Sequence, residues 1–224
     1  MKTFQLGTRT YYAHIPRKLP RNPALVVALH AGTQTPEGFE RMTGWSTIAT
    51  REKFIVVYPE GIGRSWNAGN GALGEAGRKG VDDVGFLDAV MQDAKERWSI
   101  DRDRVFLSGF SNGSMLAHRL AAVGAHHVAG VAGVAGGFAR LPGVPWFCVA
   151  PSVRMVHGTA DTHVPFAGGV GPAALDSYDH LPIEQTASWW RGQGADVATE
   201  WHDGGHVWPS GETGKQWAWF RGIA

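Results

Sequence analysis

VFLSGFSNGSMLAHRL, residues 105–120, passes from an apolar, β-branched run through a knot of glycines and serines into helix-forming residues. Within it, Gly109-Phe110-Ser111-Asn112-Gly113 fits G-x-S-x-G, the pattern of a serine held on a sharp strand-to-helix turn. Glycines two positions to either side let neighbouring backbone pass where a Cβ would clash. The turn exposes the Ser111 hydroxyl and sets it at a helix N-terminus. There the Asn112 amide and the helix dipole favour developing negative charge. A plain glycine-serine turn has the same composition, so the flanking strand and helix are what give the motif its meaning.

Outward from this elbow, apolar strand-like runs recur at 24–30, 54–60, 104–110, 131–137 and 153–158, with a weaker one at 197–202. Near-continuous apolar runs suit strands buried on both faces, as in parallel sheets covered by helices. Helical patterns lie between them. In 82–98, Val84, Leu87, Met91, Ala94 and Trp98 recur at steps of three and four, with Asp82 or Asp83 available to cap the start. Further helices are expected at 112–123, 183–192 and 213–221. The start, MKTFQLGTRTYYAHIP, alternates like a strand pair about Gly7. The expected architecture is therefore one α/β domain over residues 1–224: a mostly parallel, doubly wound sheet opened by an N-terminal antiparallel hairpin. The glycine-rich piece 66–80 reads as a surface loop.

Composition narrows the function classes. At 224 residues, 43% hydrophobic and 18% charged, the chain suits a single globular domain with a sizeable core. A net charge of +1 without long charge runs argues against a nucleic-acid groove or an anionic membrane surface. The lone Cys148 excludes an internal disulfide and most cysteine-based metal sites. Neither a signal peptide nor a bilayer-spanning run is visible, which leaves the compartment open between cytoplasmic and exported.

A serine hydroxyl is a weak nucleophile and needs a base, itself oriented by an acid. On an elbow of this kind the partners follow in the order serine, acid, histidine. Asp161 lies in HGTADTHVPF, just beyond strand 153–158, and His206 in DGGHVWP, beyond strand 197–202; each interval has room for a strand and a helix. His202 is the alternative base, placed within the strand; Asp176 and Asp179 read as solvated loop residues. His157, Asp161 and His163 could also be read as metal ligands, although their spacing matches no strong zinc signature. A second oxyanion donor is expected from LHAGTQTPEGF, as the amide of Gly32 or of Ala31. His30 ends its strand and reads as a loop brace. Of ten tryptophans, those at 98, 189, 190, 217 and 219 fall on helical patterns and read as packing. Trp66 and Trp208 have two readings, packing or the lining of a substrate cleft.

Taken together, LHAGTQTPEGF, VVYPEG, SWNAG, VDDVGF, LSGFSNGS, HGTADTHVPF and GGHVWP resemble the polyhydroxybutyrate-depolymerase, feruloyl-esterase and acetylxylan-esterase type of α/β-hydrolase, over about residues 24–210. The resemblance implies the α/β-hydrolase fold, with Ser111 as nucleophile, Asp161 as acid and His206 as base. Gly32 then falls at the first oxyanion position and Asn112 at the second. The chain departs from many relatives in reading His30-Ala31 where they read His-Gly, and in lacking cysteines after SWNAG.

The reading is a serine carboxylic-ester hydrolase acting through an acyl-enzyme, without metal or organic cofactor. Its expected substrates are short-acyl or aromatic esters, acetyl or feruloyl-like, on sugars or on polyesters such as polyhydroxybutyrate. Two alternatives stand beside it: amide or peptide hydrolysis by the same triad, and a non-catalytic carbohydrate- or aromatic-binding protein, in which the ordered serine, acid and histidine would have no use. Only residues 138–152 separate strand 131–137 from strand 153–158, too few for a multi-helix lid, so no lid domain is expected.

Overall fold

The computed structural model describes residues 1–69, 74–124, 126–143, 149–175 and 177–223. Cys148 and Asp176 lie outside the described residues, as do 144–148 of the segment read as too short for a lid. The chain begins with β1 (Lys2–Leu6) and β2 (Arg9–His14), an antiparallel hairpin turning at Gly7, whose φ of +60° is open to glycine without strain. There follow β3 (Leu25–Leu29), α1 (Pro36–Thr43), α2 (Trp45–Glu52), β4 (Ile55–Pro59), α3 (Gly74–Arg78) and α4 (Asp83–Trp98). The second half holds β5 (Val105–Phe110), α5 (Asn112–Val123), β6 (Gly130–Val134), β7 (Ser152–Gly158), α6 (Ile183–Gly192), β8 (Val197–His202) and α7 (Glu212–Phe220).

The eight strands form one sheet in the order β1-β2-β4-β3-β5-β6-β7-β8, parallel from β4 to β8, with the hairpin joined antiparallel to β4 through β2. Chain direction across the sheet reverses at β3: the chain first steps out to β4 and then returns to the other side with β5. Such a switch point leaves a crevice at the carboxyl ends of the strands. The continuous apolar runs are explained by burial on both faces. Leu25, Val27 and Leu29 join one core with Leu107, Leu116 and Trp190, while Val26 and Ala28 join a second with Phe39, Trp45, Phe106 and Phe220. On that second face, Trp217 stacks on Phe54 at 3.8 Å and Phe220 on Phe106 at 4.5 Å.

One local expectation holds and one needs correction. Of the adjacent aspartates, Asp82 caps α4, its side chain accepting from the Gly85 amide. Asp83 instead turns inward to pair with Arg9 at 2.8 Å and to accept from the Asn67 amide. The piece 66–80 is not simply a surface loop: Trp66, Ala68 and Ala76 are buried, and α3 lies within it. Among the described residues, no helix lies between β6 and β7, and no helix is long and apolar enough to cross a membrane.

Candidate active site

The register of the sheet brings the loops together. Leu29 pairs with Gly109, Phe110 with Val134, Val134 with Val156, and Gly158 with His202, so the loops after β3, β5, β6, β7 and β8 emerge along one edge. Ser111 sits at the head of α5 with φ 54° and ψ −120°, a backbone region costly for any residue but glycine. Its N–H is held by Val134 O at 2.8 Å. The elbow glycines are compelled by contact: a Cβ on Gly109 would stand 2.4 Å from Gly113 O, and one on Gly113 would stand 2.2 Å from Leu29 O. The loops after β7 and β8 approach as closely, since a Cβ on Gly158 would meet Gly204 O at 2.1 Å.

This folding aligns three side chains. His206 Nε2 lies 2.9 Å from Ser111 Oγ, and His206 Nδ1 lies 2.7 Å from Asp161 Oδ2. Because the carboxylate can only accept, Nδ1 carries the proton and Nε2 presents a bare lone pair to the serine hydroxyl. Asp161 Oδ1 accepts from the amides of His163 (2.8 Å) and Val164 (2.9 Å). Burial works to raise the Asp161 pKa, but the bonds from His206, Val164 and His163 outweigh it and hold the carboxyl below its ordinary value. His157, buried beneath, has Nε2 at 2.9 Å from Val164 O, which fixes the proton on that nitrogen; the same atom lies 3.4 Å from Asp161 Oδ2. Among the described residues, the side chains whose ligand atoms come together are Asp161, His163 and His206, and His157 is not among them. His202 stays within β8, its Nδ1 accepting from the Gly204 amide, and Asp179 is exposed.

Opposite the histidine, the loop after β3 approaches the head of α5. The Ala31 amide is taken by Gln34 Oε1 at 3.3 Å and the Thr33 amide by Arg64 O at 2.7 Å, which leaves Gly32 as the donor of that loop able to face the cleft. A Cβ built on Gly32 would lie 3.8 Å from Asn112 Cβ, so the two residues are neighbours. His30 orients this loop. Gly61 N–H donates to its Nε2 (3.0 Å), so Nδ1 bears the proton and donates to Ala31 O at 2.8 Å. The Ala31 carbonyl and the Gly32 amide belong to one trans peptide and point opposite ways, so clamping the first aims the second. Burial pushes the His30 pKa down to about 4, which keeps the ring neutral and the clamp intact.

Trp66 is a correction to its reading as a cleft residue. It is fully buried: its indole N–H donates to His30 O at 2.9 Å, its ring lies 4.7 Å from that of His30, and its backbone N–H and C=O both bond the Asn112 side chain, at 2.7 and 3.1 Å. It therefore braces the site from below. Trp208 is half-buried and is not among the residues that line the cleft around Ser111. Its N–H is bonded to Thr213, its ring meets Phe39 and Phe110 edge-on, and it borders a separate depression with Pro209 and Gly211. The cleft itself has a volume of about 270 Å³ and is lined by Gly32, Ser111 and His206, with Phe110, Met115 and Leu175 among its apolar walls. His163, overlooked except as a metal ligand, also lines it and stacks on His206 at 4.8 Å.

Residues 10–141 match the family model described as esterase, PHB depolymerase. The chain belongs to the PHB-depolymerase esterase family. Within this family it is 35% identical over 135 residues to poly(3-hydroxyalkanoate) depolymerase C of Paucimonas lemoignei, covering 58% of this chain and 32% of the relative. It is 30% identical over 167 residues to the bifunctional acetylxylan esterase/xylanase XynS20E of Neocallimastix patriciarum, covering 71% of this chain and 22% of the relative. The chain thus spans a third or less of the length of these two relatives. Among solved structures, a Bacillus cereus carboxylesterase superposes with a TM-score of 0.72 at 16% identity, over 97% of this chain and 96% of the other, which shows the shared α/β-hydrolase fold.

Proposed function

We propose that this member of the PHB-depolymerase esterase family is a serine carboxylic-ester hydrolase working through an acyl-enzyme. The observation that carries the reading is the unbroken chain from Ser111 Oγ to His206 Nε2 (2.9 Å) and from His206 Nδ1 to Asp161 Oδ2 (2.7 Å). As Ser111 Oγ attacks the ester carbonyl, His206 Nε2 takes its proton, and Asp161 stabilises the imidazolium without itself being protonated. The amides of Gly32 and Asn112 receive the oxyanion, in a geometry set before substrate arrives by His30 and Trp66. His206 then returns the proton to the leaving alcohol, and the same residue deprotonates the water that releases the acid.

The cleft supports short-acyl or aromatic esters, since its volume of about 270 Å³ is walled by Phe110, Met115 and Leu175. The names of the relatives extend the reading to esters carried on sugars or on polyester chains. A panel of p-nitrophenyl esters, acetylated and feruloylated sugars and polyhydroxyalkanoate films, run beside Ser111→Ala, tests it. Turnover of at least one ester class that vanishes in the variant is expected. Turnover that persists in Ser111→Ala, or none on any ester, overturns it.

A further inference from the structure

Acyl transfer as described has no use for the His163 side chain, yet that side chain is built into the site. Its Nδ1 is buried with no hydrogen-bond partner among the described residues. Its backbone is tied to Asp161 Oδ1 at 2.8 Å, and its ring lies alongside that of His206, centroids 4.8 Å apart and planes inclined by 26°. Asp161, His163 and His206 each offer one ligand atom within 4.8 Å of the other two. Two imidazoles and a carboxylate form a donor set that zinc accepts, at about 2.0–2.2 Å per ligand, which puts ligands around a tetrahedral ion roughly 3.3 Å apart. The cluster must therefore contract by up to about 1.5 Å at its widest, a movement on the scale of a side-chain rotation of His163.

We propose that Asp161, His163 and His206 form an inhibitory site for a divalent transition metal of the zinc class. That the metal inhibits rests on the hydrolase reading; that it binds does not. In neutral His163 with its proton on Nε2, the orphaned Nδ1 presents a lone pair, and the ring lines the solvent-reachable cleft. A metal on His206 Nδ1 moves that ring's single proton to Nε2, the atom that must be bare to accept from Ser111. A metal on Nε2 occupies the same lone pair directly. Either way the base is lost while fold and nucleophile remain. His157 is not part of this cluster, and its Nε2 is bonded to Val164 O.

Binding is measured on Ser111→Ala protein, with and without His163→Ala or His163→Asn, by zinc competition against a chromophoric chelator. Inhibition is measured on the otherwise unaltered enzyme with p-nitrophenyl acetate. One equivalent of zinc bound at micromolar concentration is expected, weakened at least roughly tenfold by either His163 change. Hydrolysis should fall over the same zinc range, recover on adding EDTA, and be indifferent to magnesium, which prefers all-oxygen sites. Zinc affinity unchanged by both His163 variants, or inhibition absent below millimolar zinc, overturns the site. A protein that binds zinc as described but hydrolyses no ester would refute the hydrolase reading and leave the metal site standing.

Discussion

Ser111 holds φ 54° and ψ −120° because Val134 O takes its N–H and α5 starts at the next residue. Strain of this kind costs about 1–3 kcal/mol, and only glycine escapes it. Replacing the serine in two ways separates strain from chemistry. Ser111→Ala should keep the strain and lower kcat by about 10⁴-fold or more, whereas Ser111→Gly should be as inactive yet about 1 kcal/mol more stable than the alanine variant. That margin is the strain relieved less the extra chain entropy of glycine. Urea midpoints of the two variants check it, and equal midpoints would mean the elbow is unstrained. His206→Ala should match Ser111→Ala in turnover, with Asp161→Asn less severe and His202→Ala near the parent. Loss of turnover in His202→Ala but not in His206→Ala would mean that the base is misassigned.

At the scale of elements, the head of α5 depends on its bracing to the loop after β4. Asn112→Ala removes the acceptor for the Trp66 N–H and the donor to the Trp66 C=O, leaving two buried backbone groups unpaired. Each costs about 1–3 kcal/mol, so a loss of roughly 2–4 kcal/mol is expected in chemical denaturation. The variant keeps the backbone N–H proposed to receive the oxyanion but frees it from this bracing, so on that proposal kcat should fall more than KM rises; a change in KM alone would place the backbone amide outside the oxyanion site. This bracing marks where the sequence stops being legible. The elbow, the central strands and helices α4, α5, α6 and α7 could be read because apolar period and glycine spacing are local signals. Helices α1 and α2 could not: PEGFERMT and WSTIATRE are short, and α2 is rich in β-branched residues. Thr35 as N-cap with Pro36 at the first turn was the available clue to α1. Ser111, Asp161 and His206 were legible because each follows a strand on a tight turn. The roles of Trp66, Trp208 and His163 depend on what lies across the fold, and no local pattern separates a tryptophan that walls a cleft from one that braces it.

For the whole molecule, burial sets the response to pH, while the shape of the open edge sets the range of substrates. Burial pushes the pKa of His118 down to about 3 and that of His30 to about 4, and it lowers those of His14, His126 and His157 in the same direction. An unfolded histidine titrates near 6.5, so below that pH the unfolded chain binds more protons than the folded one and stability falls with acidification. Between about pH 6.5 and 5.5 the carboxylates with lowered pKa values, such as Asp161 and Glu200, contribute little, because their unfolded forms are still ionised. The urea midpoint should therefore decline across that window, and His118→Gln, which keeps an acceptor for the Trp190 indole, should flatten the decline. One such group supplies at most about 1.4 kcal/mol per pH unit. A flat profile in the parent protein would contradict the burial of these rings. The open edge makes a separate demand. No helix lies among the described residues between β6 and β7, and the wall of the cleft of about 270 Å³ includes Leu175, which is 74% exposed. A long acyl chain would leave the wall after a few carbons and forgo the burial energy, about 0.8 kcal/mol per methylene, that a tunnel would give it. We therefore expect kcat/KM to level off or fall beyond short acyl chains, with no jump in rate as substrate passes from monomers to an oil interface. Esters on bulky sugars or polymer chains should remain accessible. A p-nitrophenyl series from acetate to palmitate decides the matter: a steady rise to palmitate together with interfacial activation would require a closed apolar channel that the described residues of this edge do not form.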